Sequence, residues 1–264
     1  MEVQQGVRFA DRIVELLERV EYRRADSPAD KAAIYRLRHD AYMRAGTVEP
    51  RPSGLFHDPL DESPNVWIIG IYIDGDLASS IRLHVSASPS APLPAMGAFG
   101  DIVEPHLRAG RVIVDSTRHV TKMEYAVGSP IMPYLTVRAT ALAQDFFDAD
   151  YSVVACLVEH QAFFRRMFGC VPWSEPRKYP NFNRPMAFLG YDCRERRAAT
   201  YARYPFYRST ESEQAQLFAR TSTGAEISRG RSAGRPRTSS AEPSPALSAA
   251  NPFATPILYP ARSH

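Results

Sequence analysis

The run Val158–Gly169, VEHQAFFRRMFG, puts a carboxylate, an imidazole, three phenylalanines and two adjacent arginines into one short stretch. Glu159 and His160 are groups that can accept a proton near neutral pH. The preceding run YSVVACLV reads as a short strand buried on both faces. The following residues read as a helix with Phe163, Phe164, Met167 and Phe168 inward and Arg165 and Arg166 outward, stopped by Gly169. Glu159 and His160 therefore fall where a strand ends and a helix begins, the place where open α/β sheets gather ligands. Other chemistries lack their residues. Cys156, Cys170 and Cys193 show no CxxC spacing, their odd number argues against a disulfide framework, and Cys156 reads as a small core residue. No Cys/His spacing suggests zinc. Ser116, Ser129 and His119 have the types of a hydrolase set, but no G-x-S-x-G elbow presents a nucleophile.

The elements that must position these groups are legible upstream. Phe9, Ile13, Leu16, Leu17 and Val20 recur at helical spacing. A short strand follows around VEYRRA. In SPADKAAIYRLRHDAYMRAG, Ser27 can cap, Pro28 suits the first helical position, and Gly46 ends the helix. VWIIGIYI and LASSIRLHV read as strands joined by the hairpin signal Asp74-Gly75-Asp76. A Pro/Ser/Ala-rich loop spans Ser86 to Ala98, and RVIVDSTRHVT is the next strand. A helix runs from Pro133 to about Phe147, and strands near Val171–Lys178 and Pro185–Asp192 complete the body. There is no internal repeat.

Composition bounds the partners. Of the net charge of +3, the segment from Ala219 to His264, with six Arg and two Glu, carries +4, which leaves −1 on the body. Nothing global calls for nucleic acid. From about Thr221 periodicity gives way to Ser, Ala, Pro, Gly and Arg, so residues 222–264 read as a disordered basic tail and residues 1–221 as one domain. Within the tail NPFATPILYP regains some apolar residues. The N-terminus has no apolar h-region and no apolar run is long enough to span a bilayer, so the expectation is a cytoplasmic protein.

The order of elements resembles the GCN5-related N-acetyltransferase (GNAT) fold, an acyl-CoA N-acyltransferase fold. HQAFFRRMFGC is similar to that superfamily's A-x-x-x-Y-x-x-x-G-F helix. IYRLRHDAY, FHDPLDE, SSIRLHV and VDSTRHV follow one another in the order seen in acyl-homoserine-lactone synthases, and resemble still more the N-acyl amino acid synthases on the same fold. The resemblance covers roughly Tyr22 to Phe218. Asp115 and His119 stand where the homoserine-lactone pattern has Glu and Phe, which favours the acyl amino acid branch.

That resemblance implies a central mixed, largely antiparallel sheet flanked by helices, and an enzyme that moves a long acyl chain onto an amine. The amine must lose a proton before it attacks a thioester. Glu159 and Asp115, on neighbouring strands where the sheet of this fold splays open, are the candidate bases. Glu159 is expected to draw the proton and Asp115 to hold Arg118. Arg38, Arg82 and Arg118 match the family's arginines. Each could grip a substrate carboxylate or be buried against Asp58, Asp61 or Asp115. His119 and His160 read as hydrogen-bonded structural groups.

No metal or permanently bound cofactor is required. The acyl group would arrive as a phosphopantetheine thioester. Coenzyme A users of the fold cradle pyrophosphate on a Gly-rich loop, but KMEYAVGSPIMP has one Gly, Gly128, and Pro130 and Pro133 lack amide donors. Acyl carrier protein is therefore the expected donor and partner, with Arg165, Arg166, Arg177, Lys178 and Arg184 as the basic face that receives it. Two alternatives remain: an acyl-homoserine-lactone synthase, separable by offering S-adenosylmethionine against free amino acids, and a non-catalytic binding module whose basic tail contacts nucleic acid or an acidic partner.

Overall fold

Period-two alternation sorts strand residues between two faces, and seven strands join in one sheet. In a computed structural model, which describes residues 2–127 and 130–220, these are β1 (Val20–Arg24), β2 (Val66–Ile73), β3 (Asp76–Ser86), β4 (Ile113–Thr121), β5 (Tyr151–Leu157), β6 (Val171–Lys178) and β7 (Pro185–Asp192). Their spatial order is β1-β2-β3-β4-β5-β7-β6. Every neighbouring pair is antiparallel except β4 and β5. The helices are α1 (Glu2–Leu17), α2 (Pro28–Ala45), α3 (Met96–Arg108), α4 (Met123–Ala126), α5 (Met132–Phe146), α6 (Gln161–Phe168), α7 (Cys193–Arg203) and α8 (Glu211–Phe218). The result is the mixed, largely antiparallel sheet flanked by helices that the sequence led us to expect. What was expected of residues 222–264, of Gly128 and of Ser129 lies outside the described residues.

Local chemistry sets the boundaries. Ser27 accepts a hydrogen bond from the Asp30 amide, Pro28 opens α2, and Gly46 closes it with a left-handed φ of 62°. Asp74 and Gly75 both take positive φ, 51° and 85°, as a two-residue hairpin turn with this strand twist requires.

One face of the sheet is mainly apolar, with Ser79 and Ser116 on it bonded to Thr136 and Thr140 of α5. Ile69, Ile71, Ile81, Leu83, Val114, Val154 and Leu189 share a core with Leu135 and Leu142 of α5 and Phe163, Phe164, Met167 and Phe168 of α6. The other face is divided. Ile68 packs with Ile34 and Tyr35 of α2, while Val153 and Phe188 pack with Phe99 and Val103 of α3. Buried polar side chains lie on the same face of the middle strands: Ser80, Arg82 and His84 on β3, Asp115 and Thr117 on β4.

Two irregularities shape the middle of the sheet. The pairing of β4 with β5 runs only from Ile113↔Tyr151 to Ser116↔Val154, although both strands continue. In the same stretch Ser80 pairs with Val120 but Arg82 with Thr117, so Arg118 and His119 lie opposite Ile81 alone. This is a β-bulge, and Arg118 within it takes a left-handed φ of 57°.

Four helices, α3, the single turn α4, α7 and α8, are not marked in the sequence. α3 begins inside the expected loop, is broken by non-helical angles at Phe99 and carries Pro105 internally, so its period is masked. α7, CRERRAATYAR, is mostly polar, and α8 spans two turns. The expected helix at Glu159 starts two residues later, after a 3-10 turn Val158–His160.

Gly190 of β7 lies under the ring of Trp173, where an added Cβ would sit 2.4 Å from the nearest ring atom. Gly190→Ala should cost about 1–3 kcal/mol, the usual penalty of overpacking. It should lower the denaturant midpoint with an unchanged slope; a midpoint equal to the parent's would mean that Trp173 moves aside freely.

Candidate active site

Three arginines from three elements converge on two aspartates of one turn. The 3-10 turn Pro59–Glu62 holds both aspartates by its own start geometry. The Leu60 amide donates to Asp58 at 3.0 Å, and the Asp58 amide donates to Asp61 at 2.9 Å. Arg38, from α2, donates to Asp61 at 2.7 Å. Arg82, from β3, donates to Asp58 at 2.7 Å, lies 3.2 Å from Asp61, and uses its Nε to bond Thr117 Oγ1. Arg118, on the β4 bulge, bonds the second oxygen of Asp58. Its guanidinium also lies over the rings of Phe56 and Phe182, 4.8 and 5.1 Å from their centroids.

This cluster is almost sealed from water: Arg38, Arg82 and Asp61 are no more than 1% exposed. Burial alone would raise the pKa of Asp58, but Arg82 and Arg118 hold it well below the usual carboxylate range. Asp61 is lowered against burial in the same way by Arg38 and Arg82. Three guanidiniums against two carboxylates leave one positive charge in excess. Arg38 Nε and Nη2 and Arg118 Nε have no protein partner.

Beside this excess lies Asp115, fully buried. One of its oxygens accepts from the Ala95 amide at 2.7 Å, and the other has no partner. Burial pushes its pKa up to about 7, with Ala95 and Arg82 only partly opposing. His84, paired across β3 and β4 with Asp115, is held neutral: burial and Arg82 push its pKa down to about 3. The hydroxyl of Tyr179, at the end of the β6–β7 hairpin's first arm, is buried without a partner and within electrostatic reach of Asp115 and Arg118.

The structure thus brings together Arg38, Arg82, Arg118, Asp58, Asp61 and Asp115. Arg118 is held by Asp58, not by Asp115 as expected. Its partner is 60 residues away in sequence, and the bulge turns its side chain toward the turn. Glu159 joins a different group. It sits half-exposed in the turn after β5, in an ion pair with Arg184 at 2.7 Å, and near His160. His119 packs edge-on against Phe164, and burial pushes its pKa down to about 4. Arg165, Arg166 and Lys178 are exposed and form no ion pair among the described residues, whereas Arg177 is engaged by Asp101 and Arg184 by Glu159. His84 and Tyr179 were not singled out from sequence. A signal existed for His84, which stands two residues after Arg82 and so shares its face; none existed for Tyr179.

The family model of the N-acyl amino acid synthase FeeM matches residues 33–192. Among solved structures, FeeM, an N-acyl amino acid synthase from uncultured soil microbes, matches with a TM-score of 0.59 at 15% identity, covering 71% of this chain and 98% of its own. An acyl-CoA N-acyltransferase from Pseudomonas aeruginosa matches with a TM-score of 0.44 at 19% identity, over 65% of this chain and 97% of that one. BjaI, a CoA-dependent acyl-homoserine lactone synthase, matches with a TM-score of 0.47 at 19% identity, over 70% and 89%. No curated protein matches the sequence. The fold is that of the FeeM structure.

The buried Asp115 has a pH signature. Its pKa rises from 3.8 to about 7 on folding, so between those values the folded protein keeps a proton that the unfolded chain has lost. That contribution to stability is present at low pH and is lost as pH rises toward 7. His84 and His119, depressed below 6.5, act in the opposite sense and cost stability as pH falls. Asp115→Asn removes only the first effect. The variant's stability relative to the parent should therefore climb from pH 4 to 7 and level off above, in denaturant titrations across that range. A difference independent of pH would exclude a protonated, buried Asp115.

Proposed function

Because the chain belongs to the N-acyl amino acid synthase FeeM family, it is an N-acyltransferase, and we propose that it moves a long acyl chain from acyl carrier protein to the amine of an amino acid or similar small acceptor. The observation that carries the choice of acceptor is the set of buried N–H groups of Arg38 and Arg118 that Asp58 and Asp61 leave unpartnered, which suit an acceptor that brings a carboxylate of its own.

Aminolysis of a thioester forms a C–N bond, breaks a C–S bond and moves one proton from nitrogen to sulfur. Where β4 has parted from β5, backbone amides at the seam can face a thioester oxygen as charge develops on it. Of the two candidate bases, Asp115 fits better than Glu159. It has a free oxygen and a pKa near neutrality, where a general base works best, whereas Glu159 is half in solvent and held by Arg184. The donor reading rests on two features. Pro130 and Pro133 remove amides before and at the start of α5, and Arg165, Arg166 and Lys178 are exposed with no ion pair among the described residues.

Two experiments test this reading. The chain should form N-acyl product faster from acyl carrier protein thioester than from the matching acyl-CoA, and reversing charge at Arg165 and Arg166 should raise KM for the carrier-borne donor alone. Equal use of both donors would remove the carrier protein from the proposal. For the base, Asp115→Asn should lower the rate about 10²–10⁴-fold and abolish the inflection near pH 7 in kcat/KM, while Glu159→Gln stays within a few-fold of the parent. The opposite ranking would hand the role to Glu159.

A further inference from the structure

We propose that His84 and Asp115 together form a two-acceptor seat for the amine that is acylated, an inference that rests on the acyltransferase reading above. The two residues face each other across β3 and β4, on the same side of the sheet, and both are fully buried. His84 Nε2 lies 3.0 Å from the Leu60 carbonyl. A carbonyl only accepts, so Nε2 carries the proton and Nδ1 of the neutral ring carries a lone pair. That Nδ1 has no protein partner. Asp115 has one oxygen engaged by the Ala95 amide and the other unpartnered.

Buried polar atoms in proteins nearly always have partners, so orphans gathered on one face of a sheet mark a place where something polar binds. Here they sort by kind. The strand pair supplies two acceptors, Nδ1 of His84 and, when ionised, Oδ1 of Asp115. The surrounding orphans can donate: Arg38 Nε and Nη2, Arg118 Nε, and the hydroxyls of Tyr179 and Ser80. A small molecule with a primary amine and an anionic group carries the complementary set.

A neutral primary amine has two N–H bonds and one lone pair. With both N–H groups donated to His84 and Asp115, the lone pair is left to attack the thioester carbonyl carbon. The C–N bond forms, the C–S bond breaks, the nitrogen's proton passes to Asp115, and from there to the departing thiolate. His84 takes no proton. It fixes the direction of the lone pair.

The test separates this role from the structural tie to Leu60. His84→Gln can still donate to Leu60 but places no acceptor where Nδ1 stood. His84→Asn places a carbonyl oxygen there and loses the Leu60 bond. The acceptor is the amino acid the parent acylates fastest, with its N-methyl derivative, which has one N–H fewer, as the comparison. His84→Gln should lose about 10- to 100-fold in kcat/KM for the primary amine, the scale of a buried hydrogen bond, and His84→Asn should stay within a few-fold. The parent's preference for the primary over the N-methyl amine should shrink in His84→Gln and persist in His84→Asn. Parent-like rate and preference in His84→Gln would overturn the seat, as would equal losses in both variants that track a fall in thermal stability. A parent that acylates no amine at all would instead sink the acyltransferase reading, and the seat with it.

Discussion

Taking three guanidiniums out of water is the constraint on which this site depends. Each buried ion costs several kcal/mol unless a partner and hydrogen bonds replace its hydration. The partners here come from a single four-residue turn and the residue that caps it, whose two aspartates also satisfy the turn's own amides. A helix, a strand and a bulge must all reach that turn at once, because any arm out of place strands a charge. The cluster is thus a lock on the relative placement of α2, β3 and β4 as much as a set of binding groups.

The bulge makes that convergence possible. Without the extra residue in β4, strict alternation would give Arg118 and Thr117 opposite faces. With it, Thr117 meets Arg82 and Arg118 still reaches Asp58. The same irregularity lies just past the point where β4 leaves β5, so the site's charged wall and the opening in the sheet arise within a few residues of one strand.

How much of this could be read in advance varied with the physics. The strand Val66–Ile73 is legible to the residue because a hydrophobic run bounded by turn residues makes it, and the strands near Val171–Lys178 and Pro185–Asp192 are legible in place. The first turn of α2 was legible from Ser27 and Pro28, whose chemistry is local. α3 was hidden by its kink at Phe99, and α7 by a sequence with few apolar positions, since it is held by packing rather than by its own pattern. The site residues surfaced through family resemblance and not through spacing. Arg118 and Asp58 are 60 residues apart, and no local rule pairs them. The type of His84 alone does not mark it, because a histidine in an apolar strand looks like core until its neighbour across the sheet is known to be Asp115.

The short seam between β4 and β5 also bears on how such a chain folds. It divides the sheet into two leaves, β1 to β4 and β5-β7-β6, joined by four residue pairs. Every pairing of the first leaf is finished by Thr121, and every pairing of the second falls between Tyr151 and Asp192. Each leaf contains one hairpin of strands adjacent along the chain, β2–β3 in the first and β6–β7 in the second, the kind of contact that forms early and fast. On a ribosome, the first leaf, with the whole Arg–Asp cluster in it, has all its strands before the second has begun to be made.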